Sequence, residues 1–356
     1  MQSWLAPRTM RPFGGTPLTT ARRVLAAFLV LGAALAAFDV LLVSGAIDPW
    51  AQGPDGCGAR ASSTPPDRSA AAAAPVGGLL RLRLSDRRPT ALVTDGAAGL
   101  NHPVFSPDGR RIAFIAASNG IVARLEVCDL RRHTLEPVPM SIPAGDFPLS
   151  WDGKSGSLVF VGGDLLGYGA DQRPFVVDPS GHRLRQLAGD SPWYYDGVSV
   201  SPDGTKLALL LQRKYPGGSE PEQLAVLDLR TGTLERIVGS SQVAEIDGVS
   251  WSPDGTRLVL SAYRQNPHGG LYVVDVATHA LTPLLVRGPG ARAPAWSPDG
   301  RSIAFVRGGP HTGSIWLLDL RSGRTRRLTW GGVDLAPAWS PNGKALVFVR
   351  RGPAAT

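Results

Sequence analysis

Short apolar runs alternate along the chain with a polar phrase, Ser-Pro-Asp-Gly, that follows an aromatic residue or valine. The phrase follows Phe105, Val200, Trp251, Trp296 and Trp339 (the last copy has Asn for Asp), and a degenerate copy, Trp-Asp-Gly, begins at Trp151. Successive copies lie 46, 49, 51, 45 and 43 residues apart. A repeat of this period predicts an array of supersecondary units, such as a propeller or a solenoid.

The copy at residues 293–332 shows the repeat unit most clearly. It predicts four strands, A to D, at 294–296, 302–306, 314–319 and 325–329. Strands B and C are apolar on both faces, as in a sheet packed between two neighbouring sheets. Proline, aspartate and glycine in the phrase suit a tight turn between strands A and B. The phrase therefore predicts propeller blades, and we interpret its serines and aspartates as structural.

The two ends of the repeat region complement each other. Residues 336–350 supply only strands A and B, whereas residues 78–86 and 89–94 match strands C and D. Two strands from each end would make one shared blade, which closes the ring and removes free sheet edges. We therefore expect an all-β fold, a six-bladed β-propeller closed by its N-terminal and C-terminal strands.

The repeats resemble the PD40, or TolB-like, propeller family. The resemblance covers roughly residues 76–351 and is best at 294–329 and 249–285. It implies the fold and leaves the function open, because such repeats occur in periplasmic TolB proteins, in peptidase propeller domains and in propeller lyases. TolB proteins carry a small α/β domain before the propeller, whereas a 28-residue stretch occupies that place here.

The N-terminal region predicts a membrane tether. Residues 1–23 are a basic tail with four arginines, residues 24–47 are apolar apart from Asp39 and Ser44, and residues 48–75 are an Ala/Pro-rich linker. A 24-residue helix would be about 36 Å long, enough to span a bilayer. The arginines place the tail in the cytoplasm and the propeller, residues 76–356, on the extracytoplasmic side. The alternative is a signal peptide that is cleaved after 44–46.

Composition supports an exported β-protein and argues against nucleic-acid binding. The chain has 43 glycines and 31 prolines, and part of its net charge of +8 lies in the N-terminal tail. No basic cluster is interleaved with aromatic residues, so we expect no nucleic-acid partner. Cys57 lies in the linker and Cys128 in a predicted strand, and we expect them to be unpaired, with Cys128 a buried thiol.

The chain contains none of the usual catalytic or metal-binding motifs. There is no G-x-S-x-G, H-E-x-x-H, Walker A or paired C-x-x-C pattern. His102, His268 and His311 fall on the face of the variable loops, and no two histidines have metal-ligand spacing. We therefore expect no cofactor, no resident metal and no enzymatic activity.

Four aspartates form the first candidate binding site. Asp146, Asp196, Asp247 and Asp334 each precede a strand A by a few residues. Strand A is innermost in a propeller, so these carboxylates could ring one mouth of the central channel and attract cations or a basic peptide. Alternatively, each caps its own loop.

Aromatic residues in the variable loops form the second candidate. They are Tyr168, Trp193, Tyr194, Tyr195, Tyr215 and Tyr263, and blades 2 and 3 supply most of them. Aromatic side chains with a polar edge are frequent interface anchors. The alternative is that they pack beneath their own loops.

Three functions remain open from the sequence. The favoured one is a membrane-anchored, extracytoplasmic module that binds a protein, a peptide or an envelope polymer without catalysis. The second is a small lyase- or hydrolase-like enzyme with a site at the channel mouth, built from Asp196, Asp247 and a loop histidine. The third is a structural element of a larger envelope complex.

Overall fold

The computed structural model describes Cys57 and most of residues 78–351. The gaps are 87, 95–98, 119–121, 141–143, 145–146, 164–171, 189–192, 216–217, 220–222, 240, 244, 264–268, 287, 289 and 310–311. Within these residues the fold is an all-β propeller of six blades, each an antiparallel sheet of at least four strands. The predicted fold class is therefore confirmed for the propeller.

The first two strands belong to the last blade, and the next five blades follow in chain order. The last blade begins with β1 (Gly78–Arg83) and β2 (Thr90–Val93). Blade 1 contains β3 (Gly99–Phe105), β4 (Arg111–Ser118), β5 (Val122–Asp129) and β6 (Thr134–Pro137). Blade 2 contains β7 (Ser150–Trp151), β8 (Leu158–Gly162), β9 (Arg173–Val177) and β10 (Arg185–Gln186).

Blades 3 to 5 repeat the pattern. Blade 3 contains β11 (Trp193–Val200), β12 (Lys206–Tyr215), the short β13 (Gly218–Ser219), β14 (Gln223–Asp228) and β15 (Leu234–Val238). Blade 4 contains β16 (Glu245–Trp251), β17 (Arg257–Tyr263), β18 (Gly270–Asp275) and β19 (Leu281–Leu285). Blade 5 contains β20 (Ala291–Trp296), β21 (Ser302–Arg307), β22 (Ser314–Asp319) and β23 (Thr325–Arg327).

Blade 6 is shared between the two ends of the chain, as the sequence predicts. Its inner strands are β24 (Val333–Trp339) and β25 (Ala345–Arg351), and β1 and β2 complete the sheet in the order β2-β1-β25-β24. The register pairs Leu80 with Phe348 and Leu82 with Leu346. Because these four side chains are at most 1% exposed, the closure is held by buried apolar contacts as well as by backbone hydrogen bonds.

Each Ser-Pro-Asp-Gly phrase forms the same hydrogen-bonded turn. In blade 5 the Gly300 N–H donates to the Ser297 carbonyl at 2.9 Å, and the Ser297 hydroxyl donates to Asp299 Oδ1 at 2.6 Å. The Ser302 N–H in turn donates to Ser297 Oγ at 2.9 Å. The serine is 2% exposed, and its hydroxyl is used within the turn. The structural interpretation of the phrase is therefore confirmed.

Three of the four tryptophans at this position join neighbouring blades, whereas the indole N–H of Trp296 donates to the Gly300 carbonyl in its own blade at 3.3 Å. The indole N–H of Trp251 donates to the Ser199 carbonyl in blade 3 at 3.0 Å, and that of Trp339 donates to the Ala295 carbonyl in blade 5 at 3.1 Å. Trp151 makes the equivalent bond to Val104 in blade 1 at 3.2 Å. Each of these three bonds links the innermost strands of two blades, so the aromatic residue helps to fix the spacing around the channel.

The two ends of each blade carry different connections. The phrase turns and the C–D turns share one end, where for example the Leu320 N–H donates to the Arg301 carbonyl at 2.9 Å. We call this the turn face, and we call the opposite face, which carries the B–C and D–A loops, the loop face. Turns at the two ends alternate along an antiparallel meander, which is why all phrases share a face.

The expectation that the cysteines are unpaired is wrong. Cys57 and Cys128 form a disulfide, with their Cα atoms 5.8 Å apart. The Cys57 N–H also donates to the carbonyl of Leu92 in blade 6. The low-complexity surroundings of Cys57 gave no sign of this position, because the contact with Leu92 is made by backbone atoms. The disulfide crosses the seam where blade 6 meets blade 1.

The predicted N-terminal elements lie outside the described residues. These are the basic tail 1–23, the apolar segment 24–47 and most of the linker 48–75. Nowhere in the described part of the chain does a helix with the length and hydropathy of a membrane span occur.

Candidate functional site: the loop-face mouth of the central channel

A cavity of about 640 Å³ runs along the axis of the propeller. Its lining includes the phrase prolines Pro202, Pro253, Pro298 and Pro341 and, farther along the inner strands, Ser150, Ser199 and Ser250. Residues that precede these positions on the same strands, such as Asp247 and Arg292, also line the cavity. The channel is therefore lined by prolines toward the turn face and by charged residues toward the loop face.

One sequence position on each inner strand defines the loop-face mouth. It lies four residues before the residue that precedes the phrase, and in chain order it is Asn101, Phe147, Asp196, Asp247, Arg292 and Leu335. The pairing of strands A and B shifts register next to this position in five blades. A bulge of this kind redirects the side chains beside it. Four of the six blades thus have a polar or charged residue at this level, whereas blades 2 and 6 have Phe147 and Leu335.

Asp247 and Arg292 face each other across blades 4 and 5. Arg292 Nε lies 3.9 Å from Asp247 Oδ2, and Arg292 Nη2 donates to the Gly308 carbonyl at 3.2 Å. The two side chains are 40% and 20% exposed, respectively. Burial raises the pKa of Asp247 and Glu245 adds to this, whereas the guanidinium of Arg292 opposes it. The pair leaves carboxylate oxygens accessible to a ligand.

Asp196 occupies the equivalent position on the neighbouring blade 3. Burial raises its pKa to about 6. At neutral pH this carboxylate is charged with little solvent around it, an arrangement that strengthens its interaction with any incoming cation. Asp196 and Asp247 lie within β11 and β16, not before strand A as expected, and of the two Asp247 lines the cavity. A shared acidic site at the mouth stays a prediction.

Asp334 does not reach the mouth. It is 0% exposed and accepts two hydrogen bonds from Arg350, from Nε at 2.6 Å and from Nη2 at 2.8 Å. It lies five residues before Trp339, one more than Asp247 lies before Trp251, and successive side chains on a strand point to opposite faces. Asp146 has the same five-residue offset from Trp151, but it lies outside the described residues.

The predicted aromatic cluster is divided by the structure. Tyr195 is 2% and Trp193 9% exposed, and both pack in the core between blades 2 and 3. Tyr194, between them, is partly exposed. Tyr168 lies outside the described residues, and Tyr215 is described only as the backbone end of β12. Of the three consecutive residues 193–195, only Tyr194 has an accessible side chain, and its role as an anchor remains a prediction.

Trp330 is an exposed aromatic that sequence reasoning missed. Its side chain is 57% exposed, and the guanidinium of Arg327 lies 5.6 Å from its ring centroid. It belongs to the D–A connection between blades 5 and 6, on the loop face. Its sequence context indicates a loop residue, because Trp330 is followed by two glycines and, unlike Trp251, Trp296 and Trp339, does not precede the repeated phrase.

The loop-face mouth also carries strained backbone. His102, Ala293 and Ala336 have φ angles of 51°, 46° and 49°, and each immediately precedes a proline. Positive φ is unfavourable for residues with a Cβ atom, at about 1 kcal/mol or more each. All three line the cavity, so the strain is repeated at one level of the channel.

The residues at the mouth suit binding better than a recognised catalytic arrangement. His102 lines the same cavity as Asp247, whereas His268 and His311 lie outside the described residues. No group of three or more His, Cys, Asp or Glu side chains that could hold a metal ion occurs in the part of the chain the structure describes. The mouth can form ion pairs and hydrogen bonds with a cationic group.

The chain is similar to TolB proteins in sequence and in structure. A stretch of 59 residues is 42% identical to the Tol-Pal system protein TolB of Coxiella burnetii, and it spans 17% of this chain and 14% of that relative. A TolB-type structure from Agrobacterium tumefaciens superposes with a TM-score of 0.65 at 18% identity, covering 78% of this chain and 99% of the other. TolB from Acinetobacter baumannii gives 0.55 at 14% identity, covering 78% and 65%.

Other propellers share the fold at similarly low sequence identity. One is hydrazine synthase from Kuenenia stuttgartiensis, with a TM-score of 0.51 at 14% identity and coverage of 74% and 85%. The sequence profile of PD40, the TolB β-propeller domain, matches residues 175–355, which is just over half of the chain. The protein therefore belongs to the PD40 family of TolB-like β-propellers.

Proposed function

We propose that the protein is a membrane-tethered, extracytoplasmic propeller that binds a basic segment of a protein partner at the loop-face mouth, without catalysis. The observation that carries this proposal is the placement of Asp196 and Asp247 at equivalent positions on adjacent blades. Asp247 lines a cavity of about 640 Å³, a volume that can receive an extended side chain, and Asp196 lies two residues before the lining residue Val198 on the neighbouring strand. Complementary charge at a concave site favours association and selects the partner.

The conformation of the mouth supports a binding role. The positive-φ residues His102 and Ala293 hold their strands in a costly geometry. Such strain persists only where the surrounding structure enforces it, and it is concentrated at functional sites. Because inner strands on rigid blades carry the charged groups, the site is preorganised and loses little entropy on binding.

The extracytoplasmic location rests on two features. The first is the apolar segment 24–47 with arginines before it. The second is the Cys57–Cys128 disulfide, since disulfides persist in oxidising compartments and are rare in the cytosol. The similarity to the Tol-Pal system protein TolB agrees with a place in the cell envelope.

Photo-cross-linking in the native membrane tests the proposal. A photoreactive amino acid at Tyr194 should capture a discrete protein partner, and the double variant Asp196→Asn/Asp247→Asn should reduce capture at least about tenfold. The matched control, Asp86→Asn/Glu136→Gln, removes the same charge at exposed positions away from the mouth. Equal capture by both double variants would contradict a binding site at the mouth.

One observation favours a second function, a small lyase- or hydrolase-type enzyme. A carboxyl group with a pKa of about 6, as burial gives Asp196, is suited to general acid–base catalysis near neutral pH. Nitrophenyl esters, nitrophenyl glycosides and uronic acid oligomers are suitable probes. Turnover that depends on pH near 6 and is lost in Asp196→Asn would support this function, and turnover that survives the substitution would exclude Asp196 as the acid.

A further inference from the structure

Charge is distributed unevenly around the ring of blades. The strands and turns of blade 5 (291–327) contain seven arginines and two aspartates, and those of blade 6 (78–93 and 333–351) contain seven basic and two acidic residues. Blade 3 (193–238) has five basic and six acidic residues, and blade 4 (245–285) has two basic and four acidic residues. The positive charge of the propeller is therefore concentrated in two adjacent blades.

Much of this positive charge lies on the turn face. The residue after the phrase is Arg301 in blade 5, Lys344 in blade 6 and Arg110 in blade 1, all exposed, whereas blades 3 and 4 have threonine at this position. The C–D turns of blades 5 and 1 carry two exposed arginines each, those of blades 2 and 3 carry one each, and that of blade 4 carries none. We call the exposed cations on the turns of these three blades the basic sector: Arg88, Arg110, Arg131, Arg132, Arg301, Arg321, Arg324 and Lys344.

The turn carboxylates do not cancel this asymmetry, because blades 3 and 4 have them too. The C–D turns of blades 3, 4 and 5 each have an aspartate that accepts backbone hydrogen bonds, at 2.8 Å from Thr231 to Asp228, 2.8 Å from Thr278 to Asp275 and 2.7 Å from Ser322 to Asp319. These carboxylates serve the local turn. The basic residues are what differ between the two sides of the ring.

The disulfide places the N-terminal connection at the same sector. Cys128 is one residue from the turn-face end of β5 in blade 1, and Cys57 Sγ lies 3.5 Å from the carbonyl of Asp129. Leu92, which bonds the Cys57 backbone, lies two residues from the start of β2 in blade 6. The chain therefore joins the propeller close to the turn face, at the seam between blades 6 and 1.

The length of chain before Cys57 limits how far this seam can lie from a membrane. Only ten residue steps separate Ile47, the end of the apolar segment, from Cys57. At about 3.5 Å per residue, a fully extended chain spans at most about 35 Å. Because the disulfide fixes the attachment at Cys57, the remaining linker residues up to 77 add nothing to this reach.

We propose that the basic sector lies against an anionic lipid bilayer and orients the propeller with its turn face toward the membrane. The proposal rests on the membrane tether of the proposed function. Attraction between exposed charges fades over roughly 8–10 Å at physiological salt. A tether of at most about 35 Å, attached at the sector, brings its arginines into this range more often than the cations on the opposite side of the ring, and the attraction then holds them there. The loop-face mouth then points away from the membrane, where a partner can reach Asp196 and Asp247.

Energy transfer in vesicles measures this orientation. The full chain, with a fluorophore at Ser85 on the turn face or at Ser241 on the loop face, is reconstituted into vesicles that contain an acceptor-labelled lipid. Vesicles of phosphatidylcholine with about 30% phosphatidylglycerol should give at least about twofold more transfer from Ser85 than from Ser241. The difference should disappear in pure phosphatidylcholine or in about 0.5 M NaCl, because salt shortens the range of the attraction.

A matched pair of triple variants identifies the sector. Arg301→Thr/Arg321→Ala/Lys344→Thr gives blades 5 and 6 the residues that blade 4 carries, and should abolish the difference between the two labels. The control Lys154→Thr/Arg183→Ala/Arg230→Ala removes equal charge from the turn face of blades 2 and 3 and should retain most of it. Equal behaviour of the two variants, or equal transfer in both lipid mixtures, would overturn the proposal.

The outcomes separate this proposal from the proposed function. Flotation shows whether the protein stays with the vesicles, and its release would refute the tether and the orientation together. Retention with equal transfer from both labels would refute the basic sector alone. Loss of cross-linking at Tyr194 with transfer unchanged would concern only the binding site at the mouth.

Discussion

Asp247 in blade 4 and Asp334 in blade 6 have nearly the same place in the sequence and opposite environments in the structure. Asp247 lies four residues before its tryptophan, is 40% exposed and is 3.9 Å from Arg292. Asp334 lies five residues before its tryptophan, is fully buried and shares two hydrogen bonds with Arg350. A shift of one residue along a strand moves the side chain from the channel to the space between blades.

The two carboxylates therefore have different uses. The Asp334–Arg350 pair fixes β24 to β25, and Arg350 also donates to the carbonyl of Trp330 at 3.2 Å. Asp247 has one loose ionic partner and an exposed surface, which suits a ligand. A carboxylate of the first kind holds the ring together, whereas one of the second kind faces the channel.

The largest effect is expected from Asp334→Asn. The substitution keeps the shape but leaves the guanidinium of Arg350 buried without a counter-charge. Breaking a buried ion pair costs about 3–5 kcal/mol, so the free energy of unfolding should fall by that amount in urea denaturation. Asp247→Asn should change it by less than about 1 kcal/mol, as expected of a partly exposed pair.

A double variant tests whether the lost stability comes from the unpaired charge or from the packing of the two side chains. Asp334→Leu/Arg350→Met replaces both charges by apolar side chains, and it should recover most of the stability lost in the single variant. If the two single substitutions, Asp334→Asn and Asp247→Asn, cost the same, the distinction between buried and channel-facing carboxylates fails.

Sequence reasoning identified the blades because their signal is local. The phrase encodes a turn whose bonds, such as Ser297 to Asp299, span two to five residues, and the copies count the blades directly. The shared blade followed from strands C and D at 78–94 matching the incomplete last copy. These features depend on residues that are close together in the sequence, so one sequence is enough to reveal them.

The site was only partly predictable because it depends on register and on distant contacts. Asp247 lines the cavity and Asp196 has the equivalent position in blade 3, whereas the buried position of Asp334 depends on where the bulge falls in its inner strand. Cys57 and Cys128 are 71 residues apart, and their meeting depends on how the ring closes. The sequence makes Trp193 a candidate anchor, whereas the period of two along β11 buries it together with Tyr195.

An intermediate effect is expected from the titration of Asp196. Its pKa in the folded protein is about 6, against about 3.9 in an unfolded chain. The folded state therefore keeps the proton to higher pH, and its stability falls as pH rises from about 4 to about 6, by up to about 3 kcal/mol. Urea denaturation across this range should show the slope in the native protein.

Asp196→Asn provides the control for this titration. Asparagine carries no charge at any pH, so the variant should be more stable than the native protein above pH 6 and should lose the slope between pH 4 and 6. A slope that persists in the variant would assign it to other groups and would remove Asp196 from the buried carboxylates of the mouth.

The smallest effect concerns Tyr263, which reports the charge of the Asp247–Arg292 pair. Burial is the main cause that raises the pKa of the Tyr263 phenol, the carboxylate of Asp247 raises it further, and Arg292 lowers it. Asp247→Asn should therefore lower the pKa of Tyr263, and Arg292→Gln should raise it. Phenolate absorbance, recorded as the difference between each protein and its Tyr263→Phe variant, measures both shifts. Opposite signs would show that the mouth holds a separable carboxylate and guanidinium, available one at a time to a charged ligand, whereas shifts of the same sign would mean that the pair acts on Tyr263 only through packing.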